Sequence, residues 1–301
     1  MIETSPAEST SQTSSTRRLT RRRFLALSAS GVAGMALYSG EVERHLIDVT
    51  PRTIALPGLP DAFAGFRIVQ LSDIHLEEFT EAFFLEEVVR KMNALQPDMV
   101  VLTGDFVTRS PASSPASIRS SIAAGYRCAE LLSKLTCPLT YAILGNHDVL
   151  VARAAIQDAL VSHGIPVLAN RSVAIERGGH RIWLAGLDDA LFGRPDLSQA
   201  LPRGAAGEPV ILLSHEPDFA DQVVGHPVSL ILSGHTHGGQ VRIPWMRPFD
   251  LPVLGKKYIE GHFRLGNGLQ LYVNRGIGTV GVPFRFRCPP ELTVITLKQD
   301  A

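Results

Sequence analysis

Five short polar clusters, each at the end of an apolar run, constrain this chain more than any other feature. Phe66–Leu71 leads into Asp73-x-His75, and Met99–Leu102 into Gly104-Asp105. Leu139–Leu144 leads into Gly145-Asn146-His147-Asp148, Val210–Leu213 into Ser214-His215, and Ser229–Leu232 into Gly234-His235-Thr236-His237. Between the first three runs, and after the third, lie helical patterns. One covers Glu81–Leu95, with Phe84, Leu85, Val88, Val89 and Met92 on one face; the others cover Ile118–Leu135 and Ala152–Ser162. Residues 107–117 read as a Ser/Pro-rich loop. Alternating strands and helices with polar residues at the strand ends define an α/β chain. Beyond Val167 the strands crowd, over Ser172–Ile175, Arg181–Ala185, Leu269–Val273 and Leu292–Thr296, which predicts two packed sheets flanked by helices.

In such sheets ligands bind beyond the carboxyl ends of the strands, so the five clusters are expected to meet in one crevice. Their content is aspartate, asparagine and histidine, the hard and borderline donors that suit Mn, Fe or Zn. A carboxylate shared by two ions lets few ligands hold a pair about 3.5–4 Å apart. The three cysteines, Cys128, Cys137 and Cys288, have no CxxC spacing and stand outside the clusters, which excludes a zinc knuckle. They read as small buried hydrophobes, with a Cys128–Cys137 bridge as the alternative. Taken singly, Asp73 or Asp148 suits a helix cap or turn, His215 a strand end, and Asn146 a left-handed turn. Five such coincidences in this order do not.

The ordered set Asp-x-His, Gly-Asp, Gly-Asn-His-Asp, His, Gly-His-x-His, spread over residues 73–237, resembles the calcineurin-like metallophosphoesterase family. The resemblance implies a four-layer α/β sandwich of two mixed β-sheets flanked by helices. It also implies a phosphoesterase in which a hydroxide bridging two metals attacks a phosphodiester or pyrophosphate bond. Asp73, His75 and His237 would bind the first ion, Asn146, His215 and His235 the second, and Asp105 would bridge them. His147 would reach the phosphate or leaving-group oxygen as the acid, and Asp148 would orient its imidazole. Every ligand position is filled, which speaks against a silent binding scaffold.

Residues 1–16 are nearly all Ser, Thr, Ala, Glu and Pro, a composition that cannot bury a core. A basic run and the apolar stretch Ala26–Tyr38 follow, together an export signal and too short for a membrane span. Thr20-Arg21-Arg22-Arg23-Phe24-Leu25 resembles the twin-arginine signal, with a general secretory signal or a basic tail as alternatives. The expected organisation is residues 1–40 as N-terminus and export signal, a membrane tether if uncleaved, and residues 41–301 as the catalytic domain. The twin-arginine translocation machinery is then a partner, and the destination is the periplasm, the cell wall or the outer face of the cytoplasmic membrane. With 29 basic and 29 acidic residues, no stable nucleic-acid partner is expected.

The tail, Gly261-His262-Phe263-Arg264 through Leu271–Thr279 to Arg285–Leu292, is similar to the bacterial YkuE/YaeI-like phosphodiesterase subgroup. That subgroup resembles in turn enzymes that cleave the pyrophosphate of UDP-diacylglucosamine. This implies a phosphate-ester substrate, lipid-linked as one option, with a nucleotide or nucleic-acid phosphodiesterase as the alternative. Residues 242–287 hold eight Arg and Lys against Asp250 and Glu260, an excess suited to a phosphate-bearing ligand. The Pro-rich stretch 238–257 carries Trp245, Met246, Phe249 and Leu251 among cations. It reads either as an amphiphile-gripping loop or as side chains packed on a sheet edge. Asp188, Asp189, Glu216 and Asp218 are candidates to support the ligands from behind. His45, His163, His180, His226 and His262 read as surface or turn residues.

Overall fold

A computed structural model describes residues 20–109, 114–205, 207–248 and 251–300. The chain divides into two units between Leu37 and Tyr38. In the first, Arg21–Leu37 form α1, which begins with three arginines and buries none of its residues. Among the described residues no helix is long and apolar enough to cross a membrane.

The second unit holds two sheets. The first is ordered β1 (Asp48–Leu56), β11 (Glu291–Gln299), β2 (Arg67–Leu71), β3 (Met99–Thr103), β4 (Thr140–Ile143), and only the β11–β2 pair is antiparallel. The second is ordered β5 (Arg171–Arg177), β6 (His180–Gly186), β7 (Val210–Leu213), β8 (Leu230–Ser233), β10 (Gln270–Val273), β9 (Gly261–Arg264). Its four central strands are parallel and both edge pairs antiparallel.

Side-chain alternation sorts each strand between two cores. In β2 and β3, Val69, Leu71, Val100 and Leu102 face α2 (Ala82–Ala94), α3 (Pro115–Leu132) and α4 (Asn146–Ser162). Ile68, Met99 and Val101 face the other way and meet Ile211, Leu213, Leu230 and Leu232 of the second sheet. Val210, Leu212 and Ile231 then pack outward against the short helices α5 (Leu197–Ala200) and α6 (Ala220–Val223). Strands buried on both faces read as continuous apolar runs, as these do. The expected two mixed sheets flanked by helices are therefore present.

Two expectations need correction, and one alternative falls away. α3 starts earlier than read, because Ser114 caps Ser117 N–H and Pro115 takes the first turn. α4 starts inside the third cluster, at Asn146, and bends at Ala152. The candidate bridge is absent: Cys128 points into the helix-side core, while the Cys137 thiol donates to Pro97 O.

Candidate metal centre

All five clusters lie just past the ends of β2, β3, β4, β7 and β8, and they converge as expected. Local backbone aims the side chains. Asp73, His75, Asp105, His235 and His237 all have positive φ, between 49° and 72°. Each such residue costs about 1–2 kcal/mol. Backbone bonds across the strand ends hold them there: Asp73 N–H to Gly104 O at 3.0 Å, Ile74 N–H to Asp105 O at 2.8 Å, and Leu76 N–H to Phe106 O at 3.0 Å. Two glycines permit the close approach. A Cβ at Gly145 would collide with the Asp105 carboxylate, and one at Gly234 with Ser72 Oγ and the Asp73 carboxylate.

Asp73, His75 and His237 form one buried donor group, and Asp105, His215 and His235 a second. A single oxygen, Asp105 Oδ2, lies 3.2 Å from His215 Nε2 and 3.6 Å from His75 Nε2, so it stands between the groups. His237 Nε2 is 3.5 Å from Asp73 Oδ1. Asn146 Oδ1 is 3.0 Å from His235 Nδ1, which adds it to the second group.

The outward nitrogens decide what the inward ones can do. His215 Nδ1 donates to Thr103 O at 2.6 Å, His235 Nε2 to Val253 O at 2.8 Å, and His237 Nδ1 to Gly278 O at 3.3 Å. A carbonyl only accepts, so each of these rings carries a proton on its outward nitrogen, and in the neutral ring a lone pair turns inward. His75 Nδ1 likewise faces Thr108 Oγ1 at 2.9 Å. The inward His75 and His237 nitrogens stand 3.1 Å apart, and His215 Nε2 is buried without a hydrogen-bond partner. Burial drives His75 down to about 3 and His235 to about 4, so their rings stay neutral. Burial also raises Asp73 to about 6, while against its burial the Asp105 and Asp73 charges hold His215 well above the ordinary imidazole range, so the two carboxylates draw positive charge to the cluster. Imidazoles fixed from behind, with carboxylate and amide oxygens between them, fit a pair of metal ions.

His147 is half-buried, and its Nδ1 accepts from the Arg109 N–H at 3.0 Å. In the neutral ring the proton is then on Nε2. Asp148 does not orient that imidazole, which corrects the expectation. Its buried carboxylate accepts from the N–H groups of Gly145, Asp105, Phe106 and Val107, at 2.9–3.2 Å. The cause is its place in the first turn of α4, where an acidic side chain folds back on the free amides.

Of the supporting candidates, Asp218 reaches the site indirectly. It accepts from Lys256, Lys257 and Tyr258 N–H and so pins the loop whose Val253 carbonyl holds His235. Asp188 and Asp189 instead close their own turn, with Asp188 paired to Arg153, and Glu216 accepts from Ala190 N–H.

Four of the eight expected phosphate-attracting cations are committed elsewhere, a second correction. Arg242 pairs with Glu260, Arg275 with Glu291 and Asp48, and Lys257 with Asp221. Arg285 is fully buried and donates to the carbonyls of Arg275, Gly276, Gly278 and Cys288. Its position behind His237, along with the backbone acceptors Thr103, Val253 and Gly278, went unread in the sequence. The cavity over the metal groups, about 590 Å³, is lined by no Lys or Arg among the described residues. One wall is ligand-bearing, with His147; the other is apolar, with Val241, Pro252, Val280, Val282 and Phe284.

Strand ends of two mixed sheets gathering Asp, Asn and His into a double donor group define a dinuclear phosphoesterase architecture. Residues 66–239 match the family described as calcineurin-like phosphoesterase, and the chain belongs to that family of metal-dependent hydrolases acting on phosphate esters. It is 37% identical to the metallophosphoesterase YkuE of Bacillus subtilis (strain 168) over 295 residues, 94% of this chain and 99% of the relative. It is 29% identical to the phosphodiesterase YaeI of Escherichia coli (strain K12), over 93% of this chain and 99% of that one. Against the UDP-2,3-diacylglucosamine pyrophosphatase LpxG of Chlamydia muridarum (strain MoPn / Nigg) the identity is 28%, covering 86% and 92%.

Proposed function

We propose that this chain is an exported phosphoesterase that cleaves phosphodiester or pyrophosphate bonds of a lipid-linked substrate at the cell envelope, using two Mn, Zn or Fe ions. The carrying observation is the set of imidazoles pinned from outside by Thr103, Val253 and Gly278 carbonyls, with their other nitrogens turned inward on the Asp105 and Asp73 carboxylates and on Asn146. When bound, the metal pair supplies a nucleophile usable at neutral pH and positive charge opposite the phosphoryl oxygens. Asp73, His75 and His237 would hold one ion and Asn146, His215 and His235 the other, with Asp105 available to both. His147, with its proton on Nε2, donates to the departing oxygen. Asp148 holds the Asp105 backbone in place.

The apolar wall of the cavity supports an amphiphilic substrate, and the name of LpxG points the same way. Thr20-Arg21-Arg22-Arg23-Phe24-Leu25 supports export by the twin-arginine machinery to the periplasm, the cell wall or the outer face of the cytoplasmic membrane. The test is a substrate panel with the full chain loaded in turn with Mn, Zn and Fe. It contains aryl phosphate mono- and diesters, an oligonucleotide, a phospholipid and a nucleotide-diphosphate lipid. Turnover of the aryl diester and of a lipid substrate is expected. Turnover of monoesters alone, or of the oligonucleotide in preference to both lipids, overturns the reading.

A further inference from the structure

The stretch after the last metal cluster is a loop whose tip does not pack on the sheet edge. Ile243, Pro244, Trp245 and Met246 form a turn closed by Met246 N–H on Ile243 O at 3.1 Å. Pro244 takes its second position and Trp245 its third, at φ 65°, where a turn of this kind favours glycine. A tryptophan held in a glycine conformation, with its side chain wholly exposed, has neither packing nor backbone preference to account for it. Ile243, Met246 and Val253 beside it are also exposed. Phe249, next in the pattern, lies outside the described residues.

A second loop carries the exposed Val282 and Phe284, both on the cavity wall. Gln240 ties the two loops together: its amide donates to Val280 O and Val282 O, and its carbonyl oxygen accepts from Val280 N–H. Val282 and Phe284 thus line the metal cavity, and Ile243, Trp245 and Met246 belong to the loop whose base, Gly239 to Val241, lines it as well. Among the described residues of 239–256 and 280–287 there are five Arg and Lys and no carboxylate; Asp250 lies outside them. Arg247, Lys256 and Arg287 are exposed.

The chain also enters the catalytic unit at this rim. Ser39 O accepts from Arg285 N–H at 3.2 Å, and the Gly40 backbone lies against the Phe284 ring, within 3.1–3.2 Å of where a Cβ would stand. Glu43 accepts from Cys288 N–H at 2.8 Å, and Arg44 binds Gly40 O, Phe79 O and Glu81. The segment that follows the apolar N-terminal stretch is thus fastened beside the cavity mouth.

We infer that this rim is a docking surface for an anionic phospholipid bilayer, with Trp245 as its inserting anchor. An amphipathic aromatic at a loop tip, aliphatic neighbours and the exposed Arg247, Lys256 and Arg287 match the acyl boundary and headgroup charge of such a surface. The apolar N-terminal stretch of the sequence is a second anchoring signal of the kind that stable membrane binding requires. The inference rests on the envelope reading above and adds the orientation: the metal cavity opens onto the bilayer, and the lipid substrate enters without leaving it.

The test uses the full chain with Trp183→Phe, which leaves Trp245 as its sole tryptophan, the sequence having two. Vesicles of phosphatidylglycerol and phosphatidylcholine carry bromine on their acyl chains, and hydrolysis of a soluble aryl diester is followed in the same samples. Expected are a blue shift and quenching of Trp245 emission, weakened by Arg247→Gln with Lys256→Gln and by vesicles of phosphatidylcholine alone. Co-sedimentation with unshifted, unquenched Trp245 overturns the inference, because the N-terminal segment alone would then anchor the chain. A blue shift that grows with protein concentration and needs no vesicles overturns it in favour of a second copy on this face. Aryl diester turnover in either case leaves the phosphoesterase reading standing.

Discussion

Asp148 Oδ2 accepts a hydrogen bond from the backbone N–H of Asp105 at 2.9 Å, so the acid of one cluster fixes the acid of another. The same carboxylate holds Phe106, Val107 and Gly145. Burial pushes its carboxyl up to about 8, with the Asp105 charge adding to the rise, while the N–H bonds favour the charged form. Asp148→Asn puts an NH2 group against N–H donors. A loss of about 1–3 kcal/mol is expected, together with reduced metal content because Asp105 shifts. Thermal melting and elemental analysis check it; an unchanged melting temperature with both ions bound would falsify the positioning role.

Asp105 stands between both donor groups, so Asp105→Ala should do more damage than loss of any other ligand. Activity is expected to fall to background with both ions weakened. Near wild-type turnover at unchanged metal content would rule out the shared carboxylate.

His147→Ala is expected to keep both ions and to lower the rate by about 10²–10⁴-fold. The loss should shrink as the leaving group improves, since a good one needs no proton. Metal loss by elemental analysis would instead place His147 among the ligands.

Arg285→Met removes a donor from the carbonyls of Arg275, Gly276, Gly278 and Cys288, of which Gly276 O keeps Glu291 N–H and Gly278 O keeps His237. A cost of about 3 kcal/mol or more is expected in chemical unfolding. Because Gly278 O also accepts from His237, affinity at the Asp73–His75–His237 group should fall as well. Retained affinity in a folded variant would separate the two roles.

Replacing Arg21 and Arg22 together by Lys should strand the protein in the cytoplasm, since twin-arginine recognition needs the arginine pair. Fractionation of cells expressing the variant decides it, and unchanged export would point to the general secretory route.

The metal clusters were legible because each follows its own apolar strand, and burial on both faces writes a strand as an unbroken apolar run. The edge strands β1 and β9 were not. β1 pairs with β11, more than two hundred residues away, and carries Pro51, which an edge tolerates and a strand pattern does not advertise. The carbonyls behind the histidines had no signal at all, since any residue supplies one. Asp148 was misread for nearness in sequence to His147, although a first-turn acid turns back to the amides. The arginines after residue 242 were read by number, whereas their carboxylate and carbonyl partners decide what they are free to bind.

The left-handed backbone at Asp73, His75, Asp105, His235 and His237 has a consequence for how this chain can change over time. Replacing any of them by glycine relaxes the backbone while removing a donor. Each such step returns about 1–2 kcal/mol of backbone strain but strips buried hydrogen bonds, such as Asp73 to His235 N–H and Asp105 to His147 N–H. Part of what a lost ligand costs the fold is thereby given back, so in this chain the strain at the donors lowers the barrier to losing catalytic competence while the sandwich stays intact.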